Sequence, residues 1–235
     1  MRLLAIDTAT EYCSAAFRDR SQEVCRGKEA PRQHAALILP FVQEVLAEAK
    51  VGLAELDGIV IGRGPGSFTG VRIAAGIGQG LAFSQNLPVV GVSSLQALAQ
   101  QAYRKHGVTH VVAAIDARMG EVYFGTYVLA KGLMQQVTEE IVGPPERMVL
   151  PSLTKDQAVV WHGVGTGFVT YPELTTIRGT KNSIVGLDDV RLPHAEDMLA
   201  LGLAELVAGK GVAAEEFEVH YVRNEVTWQK LPGRT

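Results

Sequence analysis

Apolar and polar positions along the chain change period several times, and each change marks an element. Arg2 to Asp7 is a short apolar run ending in Asp-Thr-Ala-Thr, and Tyr12 to Arg18 and Gln22 to Glu29 follow with strand-like composition. An opening three-stranded meander is predicted. From Pro31 to Lys50 the spacing becomes helical, with Ala35, Ile38, Val42, Val45, Leu46 and Ala49 at steps of three and four and Glu44 and Glu48 opposite. Pro40 removes one backbone donor from this helix and predicts a kink near residues 36–40. Leu37, Leu39 and Phe41 make it apolar on more than one side, which implies a second buried surface.

Asp57 to Gly62 reads as a fully buried strand, the Gly-Pro cluster from Gly62 to Gly70 interrupts it, and Val71 to Ser84 resumes helical spacing. Ala74, Ala75, Gly76, Gly78, Gly80 and Ala82 leave this helix little side chain. An interior glycine costs about 1 kcal/mol against alanine, so close backbone approach is expected to return that stability. Leu87 to Val92 reads as a strand, and Ser93 or Ser94 caps a helix running to about Lys105.

After His106-Gly107 the pattern begins again. Leu4-Ala5-Ile6-Asp7, a polar turn and Cys13 to Phe17 resemble Ala113-Ala114-Ile115-Asp116, a turn and Val122 to Val128, with Asp7 and Asp116 at the same step. Two lobes on one plan are suggested. The rest is a polar stretch with Pro144, Pro145 and Pro151, a strand at Ala158 to Trp161, the segment Gly163 to Gly167, and a helix from about Ala195 to Ala208. Pro193 and Asp197 suit the start of that helix, and Gly209 and Gly211 its end. The expected division is an N-terminal lobe at 1–105, a C-terminal lobe at 106–212, and a C-terminal segment at 213–235 that can return to the first lobe. Its polar tail from Tyr221 to Thr235 is expected to be partly disordered.

Composition narrows the function. The 235 residues carry a net charge of -3, which offers no diffuse positive field for a phosphate backbone and argues against tight RNA binding by this chain alone. Cys13 and Cys25 are read as reduced core thiols, since one possible bridge is a poor framework for a chain of this size. The sequence runs straight into Leu3-Leu4-Ala5-Ile6 without a basic leader, and no apolar stretch reaches membrane-spanning length. A cytoplasmic location is expected.

Two segments invite a phosphate. Asp7-Thr8-Ala9-Thr10 lies where a strand turns back, and such a hairpin can hold an anion through amides and hydroxyls, although Ala9 stands where close approach favours glycine. Satisfaction of the turn's own amides explains the same residues. Gly62-Arg63-Gly64-Pro65-Gly66-Ser67-Phe68-Thr69-Gly70 precedes a helix start, whose exposed amides attract anions. Val71-Arg72 follows where a Walker loop needs lysine, so that reading fails, and a rigid strand-to-helix turn is the alternative. The weak anion set is Asp7, Thr8, Thr10, Gly66, Ser67 and Thr69.

Other chemistry fares worse. His106 and His110 have helical ligand spacing but straddle Gly107, His34 is followed at that step by Ile38, and no metal site is expected. No Gly-x-Ser-x-Gly elbow exists, and neither cysteine has a base beside it in sequence. Asp116-Ala117-Arg118-Met119-Gly120-Glu121 reads as a β-turn in which Arg118 pairs an acid.

Ile6-Asp7-Thr8-Ala9-Thr10, Gly64 to Arg72, Ser93-Ser94-Leu95, Asp116 to Tyr123 and Tyr221-Val222-Arg223-Asn224 together resemble the TsaB family across nearly the whole chain. The resemblance implies an α/β, two-lobed actin-like (ASKHA, ribonuclease-H-like) fold with mixed sheets flanked by helices. It also implies membership of the bacterial complex that makes threonylcarbamoyladenosine beside the tRNA anticodon. The related TsaD subunit is the transferase there, TsaE is an ATPase, and the complex uses ATP and threonylcarbamoyl-AMP. Catalytic relatives carry a His-x-x-x-His metal pair on the first long helix; this chain offers His34 and Ile38 and lacks glycine in the Asp7 hairpin. No catalytic residue and no cofactor of its own are therefore expected. The implied role is a scaffold that contacts TsaD, or a second copy when alone, and meets tRNA indirectly. The expected contact set is His34, Ile38, Phe41, Val45, Arg72, Ile73, Ala74, Ile77 and Gly80. An autonomous phosphotransferase of this fold and an M22-type metallopeptidase are the alternatives.

Overall fold

A computed structural model of the chain describes residues 1–152, 159–177 and 183–222. Ala158 at the start of one expected strand, the motif residues Arg223 and Asn224, and most of the tail expected to be disordered lie outside them.

The opening meander is β1 (Leu3–Asp7), β2 (Tyr12–Arg18) and β3 (Glu23–Glu29), antiparallel throughout, with Leu4 opposite Phe17 and Ala16 opposite Cys25. Helix α1 (His34–Ala49) follows, then β4 (Gly58–Gly62), α2 (Phe68–Gln85), β5 (Val89–Val92) and α3 (Ser94–His106). Strands β4 and β5 run parallel to β1, giving the order β3-β2-β1-β4-β5. Helix α1 begins later than Pro31 because Arg32 takes a φ of 68°, closing a turn before Gln33. The helix contains Pro40 and continues to Ala49, and Lys50 ends it in the left-handed region.

The second half is β6 (His110–Arg118), β7 (Glu121–Ala130), β8 (Leu133–Gln136), β9 (Ile141–Gly143), β10 (Val160–Val164), α4 (Thr166–Thr170), β11 (Ser183–Gly186) and α5 (Ala195–Val207). Its main sheet has the order β11-β10-β6-β7-β8, with β9 paired to β7. Read from the meander outward, β8-β7-β6-β10-β11 repeats the first sheet's order. The mixed α/β sheet of ribonuclease-H-like type is thus present twice, giving two lobes on one plan, as the repeated Ile-Asp hairpins indicated.

The packing does not follow the linear division at residues 105 and 212. One face of the first sheet, with Leu4, Ile6, Ile59 and Ile61, is covered by Ile38, Val42 and Val45 of α1 and Ala74 and Ala82 of α2. Its other face, with Leu3, Ala5, Val60 and Val90, is covered by Ala195, Met198, Leu199 and Leu201 of α5. Conversely Leu95, Leu98, Ala99 and Ala102 of α3 lie over Val111, Ala113 and Ile115 of the second sheet. Val212 bridges Val89 through backbone hydrogen bonds and Phe217 joins the first core, so the chain after α5 returns to the first lobe. Each fully buried Leu or Ile contributes roughly 1.5–3 kcal/mol by leaving water. The two halves are therefore laced together by helices that belong in sequence to one and in packing to the other.

One sequence expectation needs correction. Cys13 is buried, but Cys25, on the edge strand β3, is exposed; both are free thiols. Asp197 lies in the first turn of α5, as expected, and its buried carboxylate accepts from Arg104 Nε at 2.7 Å and from Gln101 Nε2 at 3.3 Å.

Candidate functional site

Gly62 to Gly70 closes over the β1–β2 hairpin. The Ser67 amide donates to the Ala9 carbonyl at 2.7 Å, and Thr8 Oγ1 donates to the Gly70 carbonyl at 2.6 Å. A Cβ at Gly66 would overlap the Ala9 carbonyl, and one at Gly70 the Thr8 carbonyl. Glycine is required there by backbone approach. Ser67 caps α2 by accepting from the Gly70 amide at 3.3 Å, which occupies a donor that an anion would need. Thr69 is exposed. Thr10 is buried with no described partner for its Oγ1.

Asp7 is fully buried beneath this lid, where a Cβ at Gly62 would meet its carboxyl. Burial pushes its pKa up to about 7, opposed by the backbone amides of Ala9 and Thr8. Its Oδ2 has no described partner. The six residues of the expected anion set are neighbours; Thr8 and Ser67 are engaged in the contact between loop and hairpin, whereas Thr10 Oγ1 and Asp7 Oδ2 are buried without a described partner. A phosphate has no open route to Asp7.

Beside this closed hairpin lies a cleft of about 940 Å³ between the lobes. Arg72 forms part of its wall, with its guanidinium 3.4 Å over the Phe68 ring and 5.0 Å from the Tyr221 ring. Across the mouth, Arg118 donates to Asp116 at 2.9 Å, as the turn reading anticipated, and also to Glu11 of the other hairpin at 3.2 Å. That second contact joins the two lobes, and the linear sequence gives no signal for it. Arg191 also lines the cleft and was not singled out by sequence reasoning.

Helices α1 and α2 pack side by side on one face of the first sheet. The expected contact residues divide here. Ile38, Val45 and Ala74 are fully buried in the lobe's own core, and His34 is nine-tenths buried with Nε2 unpartnered among the described residues. These four face inward because they occupy the sheet-facing stripe of their helices. Phe41, Ile73 and Ile77 are half-buried at the edge of that core, and Gly80 is open, with nothing within 4 Å of an added Cβ. Arg72 belongs to the cleft instead. The outward surface also includes Leu39, 43% exposed, one of the residues that made α1 apolar on more than one side, and Phe83, 69% exposed, which sequence reasoning did not single out. Gly78, by contrast, meets Ile61 and Ile6, so the close approach expected of the glycine-rich helix occurs there and not at Gly76 or Gly80.

The histidines expected not to form a ligand set are engaged separately: His106 Nε2 pairs with Asp189 at 2.8 Å, and His110 packs edge-on against Trp161. Among the described residues, His194, Glu196 and Asp197 bring ligand-type atoms within 4.8 Å of one another. Arg104 already fills the cationic position, donating to Glu196 at 2.7 Å and to both Asp197 oxygens. His194 stacks on Tyr12 with centroids 4.1 Å apart. This is a neutralised ion network joining α3 to α5.

Comparison with known proteins adds the following. Residues 26–221 match the family described as TsaD, tRNA N6-adenosine threonylcarbamoyltransferase. The chain is 44% identical over 236 residues to the tRNA threonylcarbamoyladenosine biosynthesis protein TsaB of Escherichia coli (strain K12), with all of both chains covered. It is 43% identical over 242 residues to the protein of that name from Haemophilus influenzae, covering all of this chain and 98% of the relative. A solved structure of an uncharacterized protein with similarity to peptidase YEAZ from Pseudomonas aeruginosa is 46% identical with a TM-score of 0.86, covering 94% of this chain and 99% of that one.

Proposed function

Because the chain belongs to the TsaB family of tRNA threonylcarbamoyladenosine biosynthesis proteins, we propose that it serves that pathway as a non-catalytic subunit. In this reading it docks and activates the transferase paralogue TsaD, beside the ATPase TsaE, in the complex that adds a threonylcarbamoyl group to adenosine next to the anticodon. ATP and threonylcarbamoyl-AMP are handled by those partners, tRNA is met through the complex, and the chain acts in the cytoplasm.

The supporting observation is the outward face of α1 and α2. Leu39 and Phe83 are exposed, Phe41, Ile73 and Ile77 of the same two helices are half-buried, and Gly76 and Gly80 leave room for another backbone to approach. The same face suits a second copy when TsaD is missing. Turnover of ATP by the chain itself is disfavoured, since the hairpin that would take phosphate is filled by Gly66 to Gly70. A peptidase reading is disfavoured because Ile38 stands in the core where relatives carry the second histidine.

Gly80→Arg tests the docking. Its Cβ enters open space, so the variant should keep the wild-type melting temperature and lose co-purification with TsaD and support of tRNA modification. Undiminished co-purification would sink the proposal. Ala74→Arg is the contrasting control: it places a charge in the core and should lower the melting temperature itself.

A further inference from the structure

The tip of the β6–β7 hairpin carries a residue that its own turn disfavours. Arg118 pairs with Glu121, so Met119 and Gly120 alone join the two strands, with φ of 57° and 79°. Positive φ at both central positions is the two-residue hairpin pattern that favours asparagine, aspartate or glycine at the first, because an ordinary Cβ crowds the carbonyl that follows it. Met119 takes this conformation without any of those advantages, and Arg118 before it is left-handed too, with φ of 64°. The chain repeats the turn between β7 and β8, where Lys131 and Gly132 have φ of 53° and 80°. A lysine at that apex is at home in water, whereas Met119 leaves an apolar side chain 68% exposed.

We propose that Met119 is a docking residue, inserted by the hairpin tip into an apolar pocket of the protein partner that sits on α1 and α2. The inference rests on the docking reading and adds to it a second point of contact, on the other lobe.

The tip is held in place, since Arg118 donates to Asp116 and, across the cleft mouth, to Glu11. A side chain presented on a fixed backbone loses less freedom when it binds. Methionine's unbranched, polarizable chain fills irregular apolar pockets. Exposed apolar surface also continues from the tip toward the docking face: Phe68, 66% exposed, and Val169 line the same cleft as Arg118. Phe68 opens α2, and Ile73, Ile77 and Gly80 follow along that helix. A partner seated on those residues and overhanging the start of α2 meets the cleft mouth. An RNA strand fits less well, because the thioether offers a phosphate nothing and the neighbouring Arg118 is engaged by two carboxylates.

The test measures the affinity of the full-length chain for purified TsaD by isothermal titration calorimetry, with melting temperatures alongside. Met119→Asn should raise the melting temperature, because asparagine suits the turn, and yet bind TsaD about tenfold more weakly through loss of one anchoring side chain. Met119→Leu keeps the apolar volume and should bind within about threefold of wild type. Lys131→Asn, the control, should raise the melting temperature and leave the affinity unchanged. Gly80→Arg separates the two ideas. If it abolishes binding while Met119→Asn binds like wild type, the inference falls and the docking reading stands; if the wild type itself does not bind TsaD, the docking reading falls and the inference with it. A Met119→Asn variant that melts below wild type, or that keeps its affinity for TsaD and loses retention of tRNA, also overturns the assignment.

Discussion

The Ser67 amide donates to the Ala9 carbonyl at 2.7 Å, tying the start of α2 directly to the tip of the first hairpin. The contact exists because Gly66, beside Ser67, has no Cβ to strike that carbonyl. Gly66→Ala should therefore part the loop from the hairpin and destabilise the protein by more than about 1 kcal/mol. Gly76→Ala, in the same helix but facing open space, should stabilise by about 0.5–1 kcal/mol through helix propensity. Urea midpoints of the two variants should move in opposite directions; a common direction would show that the approach is looser than described.

Asp7 sets a pH dependence. Its carboxyl is pushed up to about 7 by burial, whereas in the unfolded chain it titrates near 4. The folded state thus holds a proton that the unfolded state has released, so this stability is fully present below pH 4 and is lost as pH rises to about 7. The slope in that window approaches about 1.4 kcal/mol per pH unit. Asp7→Asn removes the titration, and urea unfolding should show the variant gaining on wild type between pH 4 and 7. Parallel curves for the two proteins would contradict this.

Arg104 holds a carboxylate that burial otherwise opposes. The Asp197 side chain is fully enclosed, and its pKa is raised by burial even though Arg104 works to lower it. Arg104→Met strips the partner from that charge and should cost about 3 kcal/mol at pH 8. The penalty should shrink at acid pH, where a protonated Asp197 tolerates enclosure, and it should shrink when Asp197→Leu is added. A loss independent of both would mark packing of the Arg104 stem as the cause.

The thiols should separate by reactivity. Cys25 is exposed, while Cys13 is buried with its pKa pushed up to about 12 by burial and by nearby Asp7. A thiol-specific reagent should label one cysteine quickly in the native protein and the second after unfolding. Equal native rates would count against the burial of Cys13.

Most elements were legible because their periodicity is strong. Strand β2 was bounded at Tyr12 and Arg18, and α5 was placed within one residue, because apolar spacing and glycine stops agree with packing there. The repeated hairpins were readable from Ile6-Asp7 and Ile115-Asp116. What a linear pattern cannot carry is which sheet a helix covers: α3 and α5 look alike at either end of the second lobe, yet they pack on opposite sheets. The site divided in the same way. An apolar stripe shows that Ile38 and Val45 face a surface, and only the sheet beneath decides that the surface is their own. Arg191 and the Arg118–Glu11 contact depend on pairings between distant segments, which leave no local trace.

The late arrival of α5 bears on how the molecule is made. Met198, Leu199 and Leu201, which shelter Leu3, Ala5 and Val60, follow them in the chain only after the strands of both sheets have been made. Until then one side of the first sheet stays uncovered, so the nascent N-terminal half is the form most exposed to misassembly and to chaperone capture.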